Sequence, residues 1–144
     1  CCCCRNTTQD LVTDLQLLLL AAVHSLMYYV GVAAVLKNLG LVDSSTKIAG
    51  SSGGGVAGAM LCSDVATDKF MSTATALSLA CGSSNCRGNM QSVVKAGMSA
   101  MLPADAHSRC SGRLFLSVTE ATSNPAADVE RKISSFPSKS ALIE

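Results

Sequence analysis

The longest run without a charged residue extends from residue 15 to residue 36, between Asp14 and Lys37. It is long enough for a membrane-spanning helix, because about 20 apolar residues cross a bilayer core of ~30 Å. However, Gln16, His24 and Gly31 dilute the run, and a fully buried strand is also continuously apolar. We therefore predict a buried strand over residues 15–23 and then a separate helix, with a single membrane helix as the alternative.

Helical spacing follows this strand. Four apolar residues recur at that spacing, and the glycine after them is a typical helix stop, so we predict a helix over residues 31–39: Val32, Val35, Leu36, Leu39 and then Gly40. A short strand over residues 47–49 comes next. The segment "GVAGAMLC", residues 55–62, then predicts a helix whose small side chains allow close packing on a sheet.

The middle of the chain predicts two more helices. Ser63 and Asp64 are typical caps for a helix with apolar residues at helical spacing, namely Phe70, Ala74, Leu77 and Cys81. The segment "CGSSNCRGN" should end that helix. The next helix runs to Pro103 and carries a methionine-rich side that we assign to the core, because flexible thioethers fill irregular gaps: Met90, Val94, Met98 and Met101.

The last third of the chain predicts two strands and a helix. Residues 113–119, "RLFLSVT", alternate between apolar and polar in the way of a half-buried strand, and "RKISSF" predicts a second, short strand. "PSKSALIE" predicts a helix with Ser138 as its N-cap. Strands alternate with helices along the whole chain, which predicts one α/β domain with helices covering a central sheet.

Composition excludes one class of partner. The chain has 144 residues, 49% of them hydrophobic, and a formal net charge of +1. Its basic residues are scattered, and its aromatic residues are two tyrosines and three phenylalanines. Because it has neither a concentrated basic surface nor a set of stacking rings, we do not expect it to bind nucleic acid.

The eight cysteines do not form a recognisable framework. Four are consecutive at the start of the chain, and the others lie in apolar or helix-end contexts, so we expect free thiols in a reducing compartment. A zinc set can be drawn from Cys81, Cys86, His107 and Cys110, but it has no C-x-x-C pair, and we expect neither a metal nor a cofactor. The first residue is not Met and no secretory signal is present, so we expect a fragment of an intracellular protein.

Two chemical patterns overlap in "TKIAGSSGGGVAGAML", residues 46–61. Gly50, Ser52 and Gly54 form G-x-S-x-G, typical of a nucleophilic serine on a turn between a strand and a helix. From Gly53 onward, the same glycines form G-x-G-x-x-G, typical of a loop that binds a pyrophosphate.

The surrounding sequence favours the serine pattern. A dinucleotide site needs a second strand that ends in an acid about 20 residues later, but Asp64 and Asp68 fall in a helical pattern. A serine at the turn needs small residues two positions away on each side, which Gly50 and Gly54 provide. The N–H of Gly53 would be one donor to an oxyanion. A glycine-rich turn without chemistry remains an alternative.

Several segments in the same order resemble the patatin-like phospholipases, nearest to the adiponutrin and adipose triglyceride lipase subgroup. They are "YYVGVAAVLKNLGLV", "IAGSSGGGVAGAML", "LPADAHSRCSGRLFLSVT" and "ISSFPSKSALIE". The resemblance implies a three-layer α/β/α fold and a Ser-Asp dyad, without a cofactor, that hydrolyses lipid acyl esters. It also implies a lipid ester substrate and a location in the cytoplasm or at a membrane or lipid-droplet surface.

The chain departs from the family pattern at two places. The oxyanion loop, glycine-rich in the family, corresponds to Ala21, Ala22 and Val23, and no D-G-G or D-G-A motif for the catalytic Asp occurs before Glu144. We therefore expect residues 15–144 to be the N-terminal part of such a domain, with residues 1–14 outside it, and hydrolysis by this chain to be weak. A non-catalytic relative that acts as a lipid-associated module is the alternative.

A histidine relay is not expected either. Asp105 and His107 follow Ser52 in the order that α/β-hydrolases use, but they are two residues apart in a helical pattern. Residues with that spacing point in different directions on a helix and would not stack into a relay. We assign both to a surface helix.

Overall fold

The structure is a computed structural model and describes residues 16–21, 26–84, 89–120 and 129–144. These residues form an α/β fold, and its elements occur in the predicted order. They are β1 (Gln16–Ala21), α1 (Leu26–Asn38), β2 (Lys47–Ser52), α2 (Gly53–Cys62), α3 (Thr67–Ser84), α4 (Met90–Met101), α5 (Ala106–Cys110), β3 (Leu114–Glu120), β4 (Val129–Ile133) and α6 (Lys139–Ile143).

The described strands form one sheet in the order β1-β2-β3-β4. The first three are parallel, and β4 runs antiparallel to β3. Parallel neighbours need a crossover connection, which α1 provides between β1 and β2, whereas α2 to α5 lie between β2 and β3. The strand predicted at "RKISSF" is shifted, because β4 begins at Val129 and ends at Ile133.

The uncharged run from residue 15 to residue 36 is divided between a strand and a helix. Gln16–Ala21 pairs with Lys47–Ser52 along its full length, and α1 begins only at Leu26. The predicted strand is confirmed over Gln16–Ala21, while Leu15, Ala22 and Val23 lie outside the described residues. The single membrane helix is therefore wrong, and none of the described helices combines the length and the apolar character needed to cross a bilayer.

Gly40 ends α1 as predicted. Its φ is 68°, and the hydrogen bonds around it form a Schellman motif: the Leu41 N–H donates to Leu36 O at 2.9 Å and the Gly40 N–H donates to Lys37 O at 3.0 Å. The helix itself begins at Leu26, earlier than the predicted residue 31, so the aromatic pair before Gly31 is helical too.

Ser63 and Asp64 end α2 instead of capping α3, so that prediction is wrong. Asp64 has a φ of 57°, and the Val65 N–H donates to Met60 O at 3.1 Å, as at the end of α1. A short polar side chain tolerates this left-handed backbone better than most, and Asp64 also forms an ion pair with Lys37. The next helix, α3, starts at Thr67.

Glycines allow α2 to lie close to the sheet. A Cβ atom on Gly58 would be 2.8 Å from Leu114 Cδ1 and 3.1 Å from Ile48 Cγ2, and one on Gly55 would be 3.0 Å from Leu116 Cδ2. Ile48 and Leu114 are fully buried in this contact. The predicted close packing of a small-residue helix on the sheet is thus confirmed, and it places the start of α2 at the end of β2.

Cys62 and Cys110 form a disulfide bond, so the expectation of free thiols is wrong for this pair. The ends of α2 and α5 pack together, which brings the two Cα atoms to 5.3 Å across 48 residues of chain. Because Cys110 is in the disulfide bond, it cannot act as a thiolate ligand in the zinc set considered above. Cys86 and the side chain of Cys81 lie outside the described residues. Within the described part of the chain, no group of three His, Cys, Asp or Glu residues could hold a metal ion.

The final helix is anchored in the way that the sequence predicted. Ser138 Oγ accepts a hydrogen bond from the Ala141 N–H at 3.1 Å, the geometry of an N-cap. Lys139 Nζ donates to Leu102 O at 2.6 Å and thereby ties α6 to the end of α4. Leu142 is buried in the core, and the residues after it reach the edge of the sheet where β2 ends.

Candidate active site

Ser52 is the last residue of β2 and directly precedes α2, at the predicted turn between strand and helix. Its backbone has φ 51° and ψ −128°, which lies outside the left-handed helical region as well as the common ones. Such a conformation in a residue with a side chain costs on the order of 1–3 kcal/mol. The residue is exposed, so the predicted strained and accessible serine is confirmed, while its role as a nucleophile stays a prediction.

Gly50 must be a glycine because the backbone of α2 passes directly over it. A Cβ atom at this position would be 2.6 Å from the carbonyl oxygen of Gly54 and 2.9 Å from the nitrogen of Gly55. Contacts shorter than 3.0 Å require the backbone to shift. The glycine spacing in G-x-S-x-G therefore has a steric cause here, namely the sharp reversal from β2 into α2.

The N-terminus of α2 faces the turn that carries Ser52. The first N–H groups of a helix have no acceptor within that helix, and the helix dipole favours negative charge at this end. The Ser52 side chain makes no capping hydrogen bond to them. An oxygen that becomes negative next to Ser52 would thus meet free donors, of which the Gly53 N–H is the first in sequence.

Ala21 lies beside Ser52 in the sheet. The two residues are partners in the parallel register of β1 and β2, and Leu20 is the partner of Ser51. The predicted oxyanion loop therefore begins next to the serine. Ala22 and Val23, its other two residues, lie outside the described residues, as does His24.

A cleft of about 180 Å³ opens at Ser52. Polar residues occupy part of its lining, namely Ser51, Ser52, Ser117 and Glu144, and the rest is apolar or glycine: Gly55, Val56, Ala59, Val94, Met98, Leu116, Val118, Leu142 and Ile143. Among the described residues that line the cleft, Glu144 is the acidic one. Sequence reasoning missed Glu144, because no local motif marks a residue that reaches the Ser52 cleft only through the packing of α6.

Asp105 and His107 do not join Ser52. The Asp105 carboxylate accepts hydrogen bonds from Arg109, with Nε at 2.8 Å, and His107 Nδ1 lies 3.2 Å from Ala104 O. The α5 segment that carries them is bonded through Cys110 to Cys62, the last residue of α2. Ser52, in contrast, directly precedes Gly53, the first residue of α2. A helix of 10 residues is about 15 Å long, so the two sites are at opposite ends of α2.

The G-x-G-x-x-G glycines are part of a helix. Gly53, Gly55 and Gly58 all belong to α2, whereas a pyrophosphate loop places its first glycine in the turn before the helix. Asp64 ends α2 and Asp68 lies in α3, and the next described strand beside β2 begins only at residue 114. The glycines from Gly53 onward therefore do not form a pyrophosphate loop in this structure.

A larger cavity, of about 520 Å³, lies away from Ser52 at the start of β2. Its charges are already satisfied by the protein: Lys37 pairs with Asp64, and Arg113 donates to the carbonyl oxygens of Thr46 and Cys62, both at 3.4 Å. Burial lowers the pKa of Arg113, and the hydrogen bond from Lys37 lowers the pKa of Asp64. This cavity is larger than the Ser52 cleft, but its polar groups are held by structural contacts.

Asp43 organises the loop that leads into β2. One of its carboxylate oxygens accepts hydrogen bonds from the Ser45 hydroxyl at 2.7 Å, the Ser45 N–H at 2.8 Å and the Thr46 N–H at 3.0 Å. These bonds, led by the one from the Ser45 side chain, lower the pKa of Asp43 from 3.8 to about 2. The loop thus helps to set the position of β2, at whose other end Ser52 lies.

No family model matches the chain, and neither a curated protein nor a solved structure does. The geometry at Ser52 is therefore the basis for a functional conclusion.

Proposed function

We propose that the chain is the N-terminal part of a patatin-like lipid acyl hydrolase with Ser52 as its nucleophile. The observation that carries the proposal is the conformation of Ser52. This residue is exposed, lies between a strand and a helix, and has a backbone φ of 51°. Strain of this kind persists only where surrounding structure imposes it, and it concentrates at functional sites. The resemblance to the patatin-like family in four separate segments points to the same serine.

The reaction would proceed in two steps. Ser52 Oγ attacks the carbonyl carbon of the ester while its proton passes to a base, and the alcohol then leaves with a proton. Water hydrolyses the acyl-enzyme in the second step, releasing the carboxylic acid and restoring the hydroxyl. In both steps the developing oxyanion would accept hydrogen bonds from the Gly53 N–H and from the loop of Ala21, Ala22 and Val23.

The catalytic base is the component of the family's site that this chain lacks. The D-G-G or D-G-A motif that carries the family's catalytic Asp does not occur in its sequence. Asp105 and His107 belong to the α5 segment, near the end of α2 that is far from Ser52, and Glu144 is the acidic residue that lines the Ser52 cleft in the described part of the chain. Because a positioned base accelerates such a reaction by about 10²–10⁴-fold, we expect slow hydrolysis by this chain.

The third layer and the lipid surface are also part of the proposal. In the described residues, α2 covers one face of the sheet, while the opposite face, with Ala49 and Phe115, is only half-buried and could accept a further layer. On α1, Tyr28 is 69% exposed and Val35 is 56% exposed, an apolar surface suited to a membrane or lipid droplet. The expectation of an intracellular location rested in part on free thiols, and the disulfide bond removes that argument.

Labelling with an alkyl phosphonofluoridate tests the nucleophile without a complete catalytic cycle. The serine oxygen forms a bond to phosphorus while its proton passes to solvent and fluoride leaves, and intact-mass spectrometry counts the adducts. Because the base is missing, we expect labelling to be slow, with one adduct accumulating on the wild-type chain and on Ser51→Ala at the same rate and none on Ser52→Ala over the same period. Ser51 is a matched control, because it is the neighbouring serine and lines the same cleft. Equal labelling of wild type and Ser52→Ala would leave a glycine-rich turn without this chemistry.

A further inference from the structure

We propose that the Cys62–Cys110 bond is a reversible redox site that a low-molecular-weight thiol opens, and that Ser63 stabilises the thiolate that leaves. The inference is independent of the proposed function, because the cysteines lie at the end of α2 that is far from Ser52. Its structural basis is a buried hydroxyl. Ser63 is 2% exposed, and its Oγ lies 3.4 Å from Cys110 Sγ, its hydrogen-bonding partner among the described residues.

The Ser63 hydroxyl is better matched to a thiolate than to a disulfide. A buried hydroxyl costs free energy unless it forms a good hydrogen bond, and neutral sulfur is only a weak acceptor. A thiolate is negatively charged, and hydrogen bonds to charged acceptors are about twice as strong as those between neutral groups. Ser63 therefore stabilises the opened form of the bond more than the closed form. A disulfide that only cross-links the chain would pack equally well against an apolar side chain of this size.

The surroundings of the bond also suit the reduced pair. The carbonyl oxygen of Ala59 lies 3.7 Å from Cys62 Sγ and 3.8 Å from Cys110 Sγ. Each thiol would thus have a hydrogen-bond acceptor within reach, although an S–H group is a weak donor. Because neither form leaves a buried polar group without a partner, the pair can alternate between thiols and disulfide within one fold.

The cavity of about 520 Å³ at the start of β2 determines which sulfur is attacked. Cys62 is among the residues that line this cavity, whereas Cys110, which is fully buried, lies outside the described lining. Cys62 is itself 2% exposed, so the cavity wall must open slightly before a reductant reaches its sulfur. A small thiol needs less opening than a protein does, which favours a low-molecular-weight thiol that attacks Cys62.

The exchange takes place in two steps. The thiolate of the small thiol forms a bond to Cys62 Sγ, the bond to Cys110 breaks, and the electron pair leaves on Cys110 Sγ. Ser63 Oγ donates a hydrogen bond to this thiolate until it takes a proton from solvent. The carboxyl end of α2 disfavours negative charge, which makes this donor more important. A second small thiol then attacks the first one, so Cys62 is released as a thiol and two small thiols become one disulfide.

Reduction of the full chain by glutathione tests the direction of attack. Samples are quenched with N-ethylmaleimide in guanidinium chloride and digested with trypsin, which cleaves after Arg109 and Arg113 and so separates Cys110 from Cys62. We expect the transient glutathione adduct on Cys62 and maleimide on Cys110. After glutathione is replaced by glutathione disulfide, the Cys62–Cys110 pair should form again. A glutathione adduct on Cys110, or failure of the pair to form again, overturns the inference.

Urea distinguishes attack on the folded protein from attack on the unfolded chain. We expect the reduction rate of wild type to stay constant in urea concentrations below the unfolding transition, because only the cavity wall has to open. A rate that increases with urea as steeply as the unfolding equilibrium would show that the bond is reached only after global unfolding, and the inference would then be wrong. Both this measurement and the peptide mapping use wild type, so they decide the question even if a variant does not fold.

Ser63→Ala tests the role of the hydroxyl through the sign of its effect. Loss of a hydrogen bond to the leaving thiolate should slow reduction by about tenfold or more. If Ser63 only stabilised the fold, its loss would ease opening and speed reduction. Ser108→Ala is the matched control, because this exposed serine of α5 donates to Asp105 O at 2.8 Å and should leave the rate unchanged. An equal or faster rate in Ser63→Ala overturns the role of Ser63.

Discussion

A Cβ atom on Gly50 would lie 2.6 Å from the carbonyl oxygen of Gly54, so the end of β2 and the first turn of α2 are in backbone contact. Ser52 lies between these two glycines and must reverse the chain within one residue. Its φ of 51° is the consequence of that contact. The serine is thereby held at the edge of the sheet and above the N-terminus of α2, whether or not its hydroxyl is used.

Gly50→Ala should disrupt this turn. The added methyl group would overlap the Gly54 backbone, and we expect a loss of about 1–3 kcal/mol in the free energy of unfolding together with loss of labelling at Ser52. Urea denaturation measures the first effect. Gly31→Ala is the control: no atom lies within 4 Å of the added carbon, so in this exposed helix position it should stabilise by up to about 1 kcal/mol. Equal effects of the two substitutions would contradict the steric explanation.

Ser52→Gly should stabilise the fold while it removes the nucleophile. Glycine adopts a positive φ without the strain of about 1–3 kcal/mol, although its greater freedom in the unfolded chain offsets about 0.4–1 kcal/mol. We expect a net gain of roughly 1 kcal/mol in unfolding free energy. Ser51→Gly, in the regular part of β2, should instead destabilise by roughly 0.5–1 kcal/mol. If Ser52→Gly destabilised as much as Ser51→Gly, the backbone of Ser52 would not be strained.

Reduction of the Cys62–Cys110 bond should lower stability considerably. The bond spans 48 residues, and restriction of the unfolded chain by a loop of this size corresponds to about 4 kcal/mol. Thermal unfolding with and without dithiothreitol measures the loss. The double variant Cys62→Ala and Cys110→Ala controls for the other cysteines, since its stability should not respond to the reductant. A large response of the double variant would assign the effect to other thiols.

Stability should fall as Asp43 becomes protonated. The pKa of Asp43 is lowered in the folded state from 3.8 to about 2, so its contribution is fully present above about pH 4 and is lost as the pH falls through about 2. Ser45→Ala removes the hydroxyl donor and should raise the folded-state pKa toward 3.8, which shifts this loss to higher pH. Carboxyl ¹³C NMR titration of Asp43 measures the pKa directly, and an equal value in both proteins would refute the hydrogen-bond cause.

Ester hydrolysis tests the missing base. We expect turnover of a short-chain nitrophenyl ester near background, because the unassisted hydroxyl lacks an effect worth about 10²–10⁴-fold. Any residual, Ser52-dependent rate should decrease in Glu144→Gln, because Glu144 lines the cleft. It should not decrease in Asp105→Asn or His107→Ala, because these residues lie near the end of α2 that is far from Ser52. Rapid turnover that survives Glu144→Gln would show that another residue of this chain serves as the base.

The order of elements, the strand inside the long apolar run, the end of α1 at Gly40 and the cap at Ser138 could all be predicted from the sequence. These features depend on neighbours within one or two turns of chain, where periodicity and residue conformation act directly. The turn at Ser52 could also be predicted, because the glycines that relieve its crowding lie within two residues of it.

The local sequence pattern led to a wrong prediction where a residue ends the preceding helix instead of capping the following one. Ser63 and Asp64 have the composition of an N-cap, yet Asp64 takes a left-handed backbone that ends α2, where it pairs with Lys37 from another helix. No local pattern distinguishes these two uses, because the deciding partner lies far away in the chain.

The disulfide and the cleft were decided by tertiary packing alone. Cys62 and Cys110 meet only because the C-terminal ends of α2 and α5 pack together, and Glu144 reaches the Ser52 cleft only because α6 is held against α4. The sequence by itself determined where a strained serine could stand, since that depends on backbone sterics over five residues. What surrounds the serine depends on contacts between elements distant in the chain, and only the folded structure brings them together.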